Sequence, residues 1–315
     1  MTGRAVRERL VDLGYAAGWR LVRLLPERAA EALFDLGADR AARRGGGGVS
    51  RLRANLRRVV PRAGEAELDE LVRLAVRSYA RYWREAFRLP SMDLDQVYAE
   101  LDRTLSGAEN LDAALAEGRG AVVALPHCGN WDMAGVWLVR HCGTFTTVAE
   151  RLKPESVYRR FIAFREGLGF EVVPLTGGDR NPAVVLAERL RANQVVCLLA
   201  DRDLTAGGVP VTFFGERTLM PAGPAHLAAT TGAALIPAGL WFTEDGWGIR
   251  MHPPIRVAGT AGVAAATQQV ADVFAADIAA HPTDWHMMQR LWLADLPESR
   301  QKALRRVLAR RGEHA

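Results

Sequence analysis

The stretch LPHCGNWDMAG, residues 125–135, places His127 and Asp132 just beyond an apolar run, Ala121–Leu125. An imidazole and a carboxylate are two parts of a general-base pair. The carboxylate accepts from one ring nitrogen and fixes the tautomer, and the other nitrogen can then take a proton from a hydroxyl. No GxSxG turn supplies a serine, so the attacking oxygen would belong to the substrate. Spacing decides where the pair can meet. Along one regular helix, five residues rotate two side chains about 140° apart, whereas a histidine on a loop and an aspartate in the next helical turn can touch. Asn130 reads as the N-cap of such a helix, with Asp132 in its first turn, where the helix dipole favours a carboxylate. The plainer reading is a capped helix beside a buried histidine. Cys128 is a poorer candidate, because adjacent side chains point apart and a thiolate needs a base across the site.

The elements that would hold these residues alternate. Short β-like runs at 120–125, 145–149, 171–174, 195–200 and 233–240 are separated by helix-like segments. That alternation predicts an α/β fold, with a central mostly parallel sheet flanked by helices. Ligands in such sheets bind beyond the carboxyl ends of the strands, where His127 falls. Asn181 and Pro182 supply a cap and a first-position proline for a helix over 183–191.

The first hundred residues read as helical and basic. Leu10, Leu13, Ala17, Leu21 and Leu24 recur at helical spacing, with Arg7, Arg20, Arg23 and Arg28 among the polar positions. An interfacial helix needs that pattern, its stripe in the acyl boundary and its arginines on lipid phosphates. A helix packed on its own domain shows the pattern too. A second helix, over 65–89, sets Leu68, Leu71, Val72, Ala75, Tyr79, Trp83 and Phe87 on one side. Arg73, Arg77, Arg81, Arg84 and Arg88 form another stripe, either a solvated face or a phosphate-reading one. RRGGGG at 43–48 marks a helix end and a turn. The expected division is a helical, basic, membrane-associating region over 1–105, an α/β core over 106–297 and a basic tail over 298–315.

At 315 residues and 49% hydrophobic content, the chain can bury a sizeable core. Residues 1–62 hold 14 arginines against 6 acidic residues, and residues 298–315 hold 6 basic against 2 acidic. The net charge is only +5, so the body between is acidic. Basic ends of this kind suit an anionic membrane surface. No segment reaches the roughly 18–20 uninterrupted apolar residues that span a bilayer, so a spanning helix is not expected. The cysteines show no CxxC pairing and the start shows no leader pattern, which fits a reducing cytosolic setting. HExxH, Walker and GxGxxG motifs are absent, as is any nucleic-acid motif; neither a metal nor a nucleic-acid partner is expected.

HCGNWD after a strand-like run resembles the HxxxxD signature of the glycerolipid and lysophospholipid acyltransferases. Further blocks agree in order: VAERLKP at 148–154, FREGLGFEVVPL at 164–175, LLADRDL at 198–204, VTFFGE at 211–216 and PAGPAHLAATTGAALIPAGLW at 221–241. HPTDWHMMQRLW at 281–292 resembles the ending of the branch that contains the lipid A acyltransferases. Within that branch the chain most resembles the phosphatidylinositol mannoside acyltransferases of actinobacteria. The resemblance implies transfer of a long acyl chain, typically palmitoyl, from acyl-CoA to the 6-hydroxyl of the mannose on inositol position 2. It implies a peripheral enzyme at the cytoplasmic face of the plasma membrane, with acyl-CoA as co-substrate and no other cofactor. It makes His127 the base and Asp132 its orienting partner. Glu150 and Arg165 match polar positions around the acceptor headgroup and reacting centre, and Asp201 and Arg202 lie at another strand end in the same region. The FFG at 213–215 would shape the pocket or pack in the core. Three other readings remain at this level: an acyl-CoA thioesterase using the same pair with water, an acyltransferase with a lysophospholipid or other glycolipid acceptor, and a non-catalytic lipid-binding protein.

Overall fold

A parallel strand covered on both faces must be apolar on both faces, which is why these runs are nearly continuous rather than alternating. The computed structural model describes residues 18–151, 155–203, 207–298 and 301–302. Its strands are β1 (Leu105–Ser106), β2 (Ala121–Leu125), β3 (Phe145–Ala149), β4 (Glu171–Pro174), β5 (Val195–Leu199), β6 (Val209–Phe213), β7 (Glu216–Met220), β8 (Ala234–Phe242) and β9 (Trp247–Met251). Seven form one sheet in the order β1-β9-β8-β2-β5-β3-β4, and β6 and β7 pair separately as an antiparallel hairpin. Within the large sheet only β8 and β9 run antiparallel. The expected α/β architecture is present.

Side chains along β2 alternate between two cores. Val122 and Ala124 join Leu186, Leu227 and Phe274 from the helices Pro182–Arg191, Gly223–Thr231 and Val263–Ala280. Ala121 and Val123 join Leu111, Met133 and Trp137 from the helices Ala108–Ala116 and Trp131–Cys142. Helices therefore cover both faces, and the ends of the central strands are left as the open edge.

Ahead of the sheet lie the helices Glu27–Arg44, Gly47–Val59, Glu65–Arg88 and Leu94–Thr104, the first ended by Gly45 at φ 67°. Their own core holds Leu52, Leu56, Leu68 and Val72. They are tied to the body: the Asn55 amide donates to the carbonyls of Met287 and Gln289 at 2.7 and 3.0 Å. The arginine stripe is not a phosphate-reading face. Arg73 and Arg77 pair with Asp39, Arg81 pairs with Glu85, and Arg84 and Arg88 face Glu27, so carboxylates already neutralise it. No helix among the described residues is long and apolar enough to cross a membrane. Arg7, Leu10, Leu13 and Ala17 of the expected interfacial stripe lie outside the described residues, as does most of the expected basic tail.

Candidate functional site

The register of β2 and β5 creates the site. Leu125 stands opposite Leu199, and the next rung continues with the Ala200 N–H donating to the Leu125 carbonyl at 2.8 Å. Two residues beyond those partners are His127 and Asp201. His127 Nδ1 lies 2.5 Å from Asp201 Oδ1, and the His127 backbone N–H donates to Oδ2 at 3.0 Å. The Trp285 indole N–H donates to the same Oδ2 at 3.0 Å. Asp201 is wholly buried. Burial pushes its carboxyl up, but His127 and Trp285 outweigh that and hold it below the usual carboxylate range. An ionised carboxylate at Nδ1 keeps the ring proton there, so Nε2 is left as the basic nitrogen.

The expected contact between His127 and Asp132 is not made. Asn130 does cap the helix, its side-chain oxygen accepting from the Asp132 and Met133 N–H groups. Asp132 turns instead into the buried layer, where Arg165 Nε and Nη2 donate to it at 2.7 and 3.2 Å and the Tyr82 hydroxyl donates at 3.1 Å. The bend between the two residues is sharp. Gly129 sits at φ 53°, and a Cβ there would come within 3.0 Å of the Leu240 and Trp241 backbone. Burial would lower the Arg165 pKa, but Asp132 overrides it, and the guanidinium is held charged with its pKa raised. The site thus contains a hydrogen-bonded His127–Asp201 pair and, separately, the Arg165–Asp132 ion pair.

Two cavities lie near these residues, and His127 lines one of them. One is a cleft of about 470 Å³ lined by His127, by Glu150 just past β3 and by Arg202 just past β5. The other is apolar and lies beneath the Trp131–Cys142 helix, lined by Val123, Phe145, Phe170 and Cys197, with Asp132 and Arg165 contributing charge. Leu186 and Leu227 of the cleft belong to one core and Val123 and Phe170 of the other cavity to the second, so the strands that carry Val148 and Leu199, which line both, stand between them. Of the expected residues, His127, Glu150, Asp201 and Arg202 gather at the carboxyl ends of β2, β3 and β5. Asp132 and Arg165 sit on the apolar side. Among the described residues, no three His, Cys, Asp or Glu side chains converge as a metal site.

Several residues of the site went unread in the sequence. Tyr82 and Glu85 come from the Glu65–Arg88 helix; Glu85 accepts from the Asn130 amide at 2.8 Å and from the Trp247 indole at 2.7 Å. Trp285 and His286 come from the last block. The His286 N–H donates to the His127 carbonyl at 2.8 Å. Its ring is buried, and burial, with His127 nearby, holds its pKa down at about 3. The available signal was a polar residue on an otherwise apolar face: Glu85 packs beside Tyr82 and Ala86. Cys128 is buried, and burial pushes its thiol well above the usual range, which removes it as a nucleophile. Phe213 is core, at 1% exposure.

Residues 4–294 match the family described as bacterial lipid A biosynthesis acyltransferase. A phosphatidylinositol mannoside acyltransferase of Mycolicibacterium smegmatis is 58% identical over 295 residues, covering 94% of this chain and 95% of the relative. Proteins of the same name from two strains of Mycobacterium tuberculosis are 58% identical over 302 residues, covering 96% of this chain and 94% of each relative.

Proposed function

This chain belongs to the bacterial lipid A biosynthesis acyltransferase family, and from that premise we propose that it moves a palmitoyl chain from acyl-CoA to the mannose 6-hydroxyl of a phosphatidylinositol mannoside. The similarity to proteins named for that acceptor supports the choice. The cleft that His127 lines takes the acyl chain along Leu175, Leu186, Leu198 and Leu227, each methylene contributing about 0.8 kcal/mol on burial. Glu150 and Arg202 of the same cleft lie beside the acceptor headgroup. The thioester carbonyl lies beside His127.

His127 Nε2 removes the hydroxyl proton as the sugar oxygen attacks the carbonyl carbon. Asp201 stabilises the imidazolium that forms, without taking its proton. The tetrahedral intermediate collapses, the carbon–sulfur bond breaks, and the imidazolium returns the proton to the departing thiolate. Arg165 and Asp132 hold the helix start in place and keep a compensated charge in the small cavity beneath that helix. The observation that carries this reading is the buried Asp201 carboxylate on His127 Nδ1 beside a cleft of about 470 Å³ whose walls are largely apolar.

Leu21, Leu24, Leu33 and Leu36 are 57%, 76%, 52% and 65% exposed, and Arg20, Arg28 and Arg40 are exposed near them in sequence. These support a seat on an anionic membrane surface, as a peripheral protein at its cytoplasmic face. A second reading has its own observation: the His127 side chain is 28% exposed, so water can reach it, and water as nucleophile makes a thioesterase. The test is radiolabelled palmitoyl-CoA offered with phosphatidylinositol mannosides, with lysophospholipids, or with no acceptor. Label on the mannosides supports the proposal. Label on lysophospholipids instead moves the acceptor, and fatty acid released at the same rate without any acceptor replaces the transferase with a thioesterase.

A further inference from the structure

An open groove lies beside the exposed leucines, between the Glu27–Arg44 and Glu65–Arg88 helices, with a volume of about 800 Å³. Phe34, Tyr79, Trp83 and Phe87 wall it, and Met288 and Arg44 also line it. It exists because the near helix presents Gly37, Ala38 and Ala41 there, too small to fill the space. It is separate from the two cavities at the strand ends, sharing no lining residue with either.

Two observations indicate what belongs in it. The first is continuity with the reacting centre. The Tyr79 ring is 5.2 Å from the His286 ring, the His286 N–H donates to the His127 carbonyl, and the Met288 N–H donates to the His286 carbonyl at 3.1 Å. The groove therefore ends against the segment that holds His127. The second is charge. Arg44 lines the groove, Arg40 and Arg43 are exposed on the same helix end, and no carboxylate lines it. Apolar walls with cations at the mouth suit an acyl tail beneath a phosphate.

We infer that this groove binds one acyl tail of the acceptor's lipid anchor, lifted from the bilayer so that the sugar headgroup reaches His127. The inference rests on the glycolipid-acceptor reading. It explains how a hydroxyl on a membrane lipid reaches a base set at the strand ends: the tail moves along an apolar track and avoids crossing water. Each methylene seated there strengthens binding by about fourfold.

Gly37→Leu tests it. A Cβ at Gly37 meets nothing within 4 Å, and leucine is a better helix former than glycine, so the substitution fills the groove without disturbing the fold. The variant is expected to raise the KM for the long-tailed acceptor by about tenfold or more. The KM for the same headgroup on short, water-soluble tails and the KM for palmitoyl-CoA stay unchanged, and binding to acceptor-free anionic vesicles is not weakened. An unchanged long-tail KM, an equal rise with short tails, or a parallel loss of vesicle binding overturns the inference. A second readout does not depend on turnover: an acceptor carrying a photoactivatable diazirine at mid-tail, crosslinked and mapped by peptide mass spectrometry. Adducts on Phe34, Tyr79 or Trp83 support the groove even if no acyl transfer to that lipid occurs, in which case the acceptor reading alone fails. Adducts confined to the cleft that His127 lines overturn it.

Discussion

Asp201→Asn separates the two carboxylates that lie near His127 in sequence or in space. Asp201 Oδ2 accepts two N–H groups, from the His127 backbone and the Trp285 indole, each at 3.0 Å. Asparagine keeps both only by placing its oxygen there, which aims its NH₂ at His127 Nδ1. That nitrogen must then accept, so the ring carries its proton on Nε2 and cannot take another from the hydroxyl. Flipping the amide restores the tautomer but sets NH₂ against two buried N–H donors, at about 1–3 kcal/mol for each group left unsatisfied. By either route kcat is expected to fall about 10³–10⁴-fold, equivalent to about 4–5.5 kcal/mol of activation free energy. The assay is steady-state acyl transfer across pH, with thermal unfolding run in parallel to show that the variant is folded. Asp132→Asn is the control. It weakens the contacts to Arg165 and Tyr82 and lowers stability, but leaves the tautomer of His127 unchanged. The reasoning is refuted if folded Asp201→Asn keeps activity within tenfold of wild type while Asp132→Asn shows the tautomer defect.

Three further outcomes follow from the same geometry. In Gly135→Ala, the new Cβ would stand 2.4 Å from the Phe170 ring, and this overpacking should cost about 1–3 kcal/mol of stability in urea unfolding; an unchanged midpoint would contradict this. Arg165→Met leaves the Asp132 carboxylate, 1% exposed, without its counter-charge and should cost about 3–5 kcal/mol in urea unfolding; adding Asp132→Leu should recover most of that, and additive losses would show that the pair is not coupled. His286 has a folded pKa of about 3 against an ordinary 6.5, so below pH 6.5 the unfolded chain binds a proton that the native state refuses. Stability should therefore fall as pH drops from 6.5 towards 3, by about 2 kcal/mol already at pH 5; His286→Phe should lose that slope, and identical slopes in the two proteins would be evidence against it.

What could be read from sequence was local. Strands β3 and β4 lie where their apolar runs placed them, and Asn130 and Asn181 cap their helices through contacts to residues two or three along. The HxxxxD stretch lies at the expected strand end. What failed was the local pairing of His127 with Asp132, because each takes partners distant along the chain. Asp201 reaches His127 across 74 residues through the register of two parallel strands, and register is set by packing of whole strands, which local spacing does not encode. Asp132 finds Tyr82 at a separation of 50 and Arg165 at 33. The arginine stripe, open in sequence between a solvated and a phosphate-reading face, is met by Asp39 and Glu27 of the neighbouring helix and by Glu85 of its own. The FFG stretch carries the turn of the β6–β7 hairpin, with Phe214 at φ 49° and Gly215 at φ 78°, a conformation that bulky residues rarely adopt and that sequence patterning therefore does not anticipate.

The central claim is that His127 activates an acceptor hydroxyl for attack on an acyl-CoA thioester. Its most direct test compares wild type with His127→Ala, following label from palmitoyl-CoA onto the mannose 6-hydroxyl while palmitoyl-CoA binding is measured by equilibrium dialysis. The account predicts retained donor binding and a transfer rate lower by about 10²–10⁴-fold. Transfer that persists at the wild-type rate in His127→Ala would contradict it.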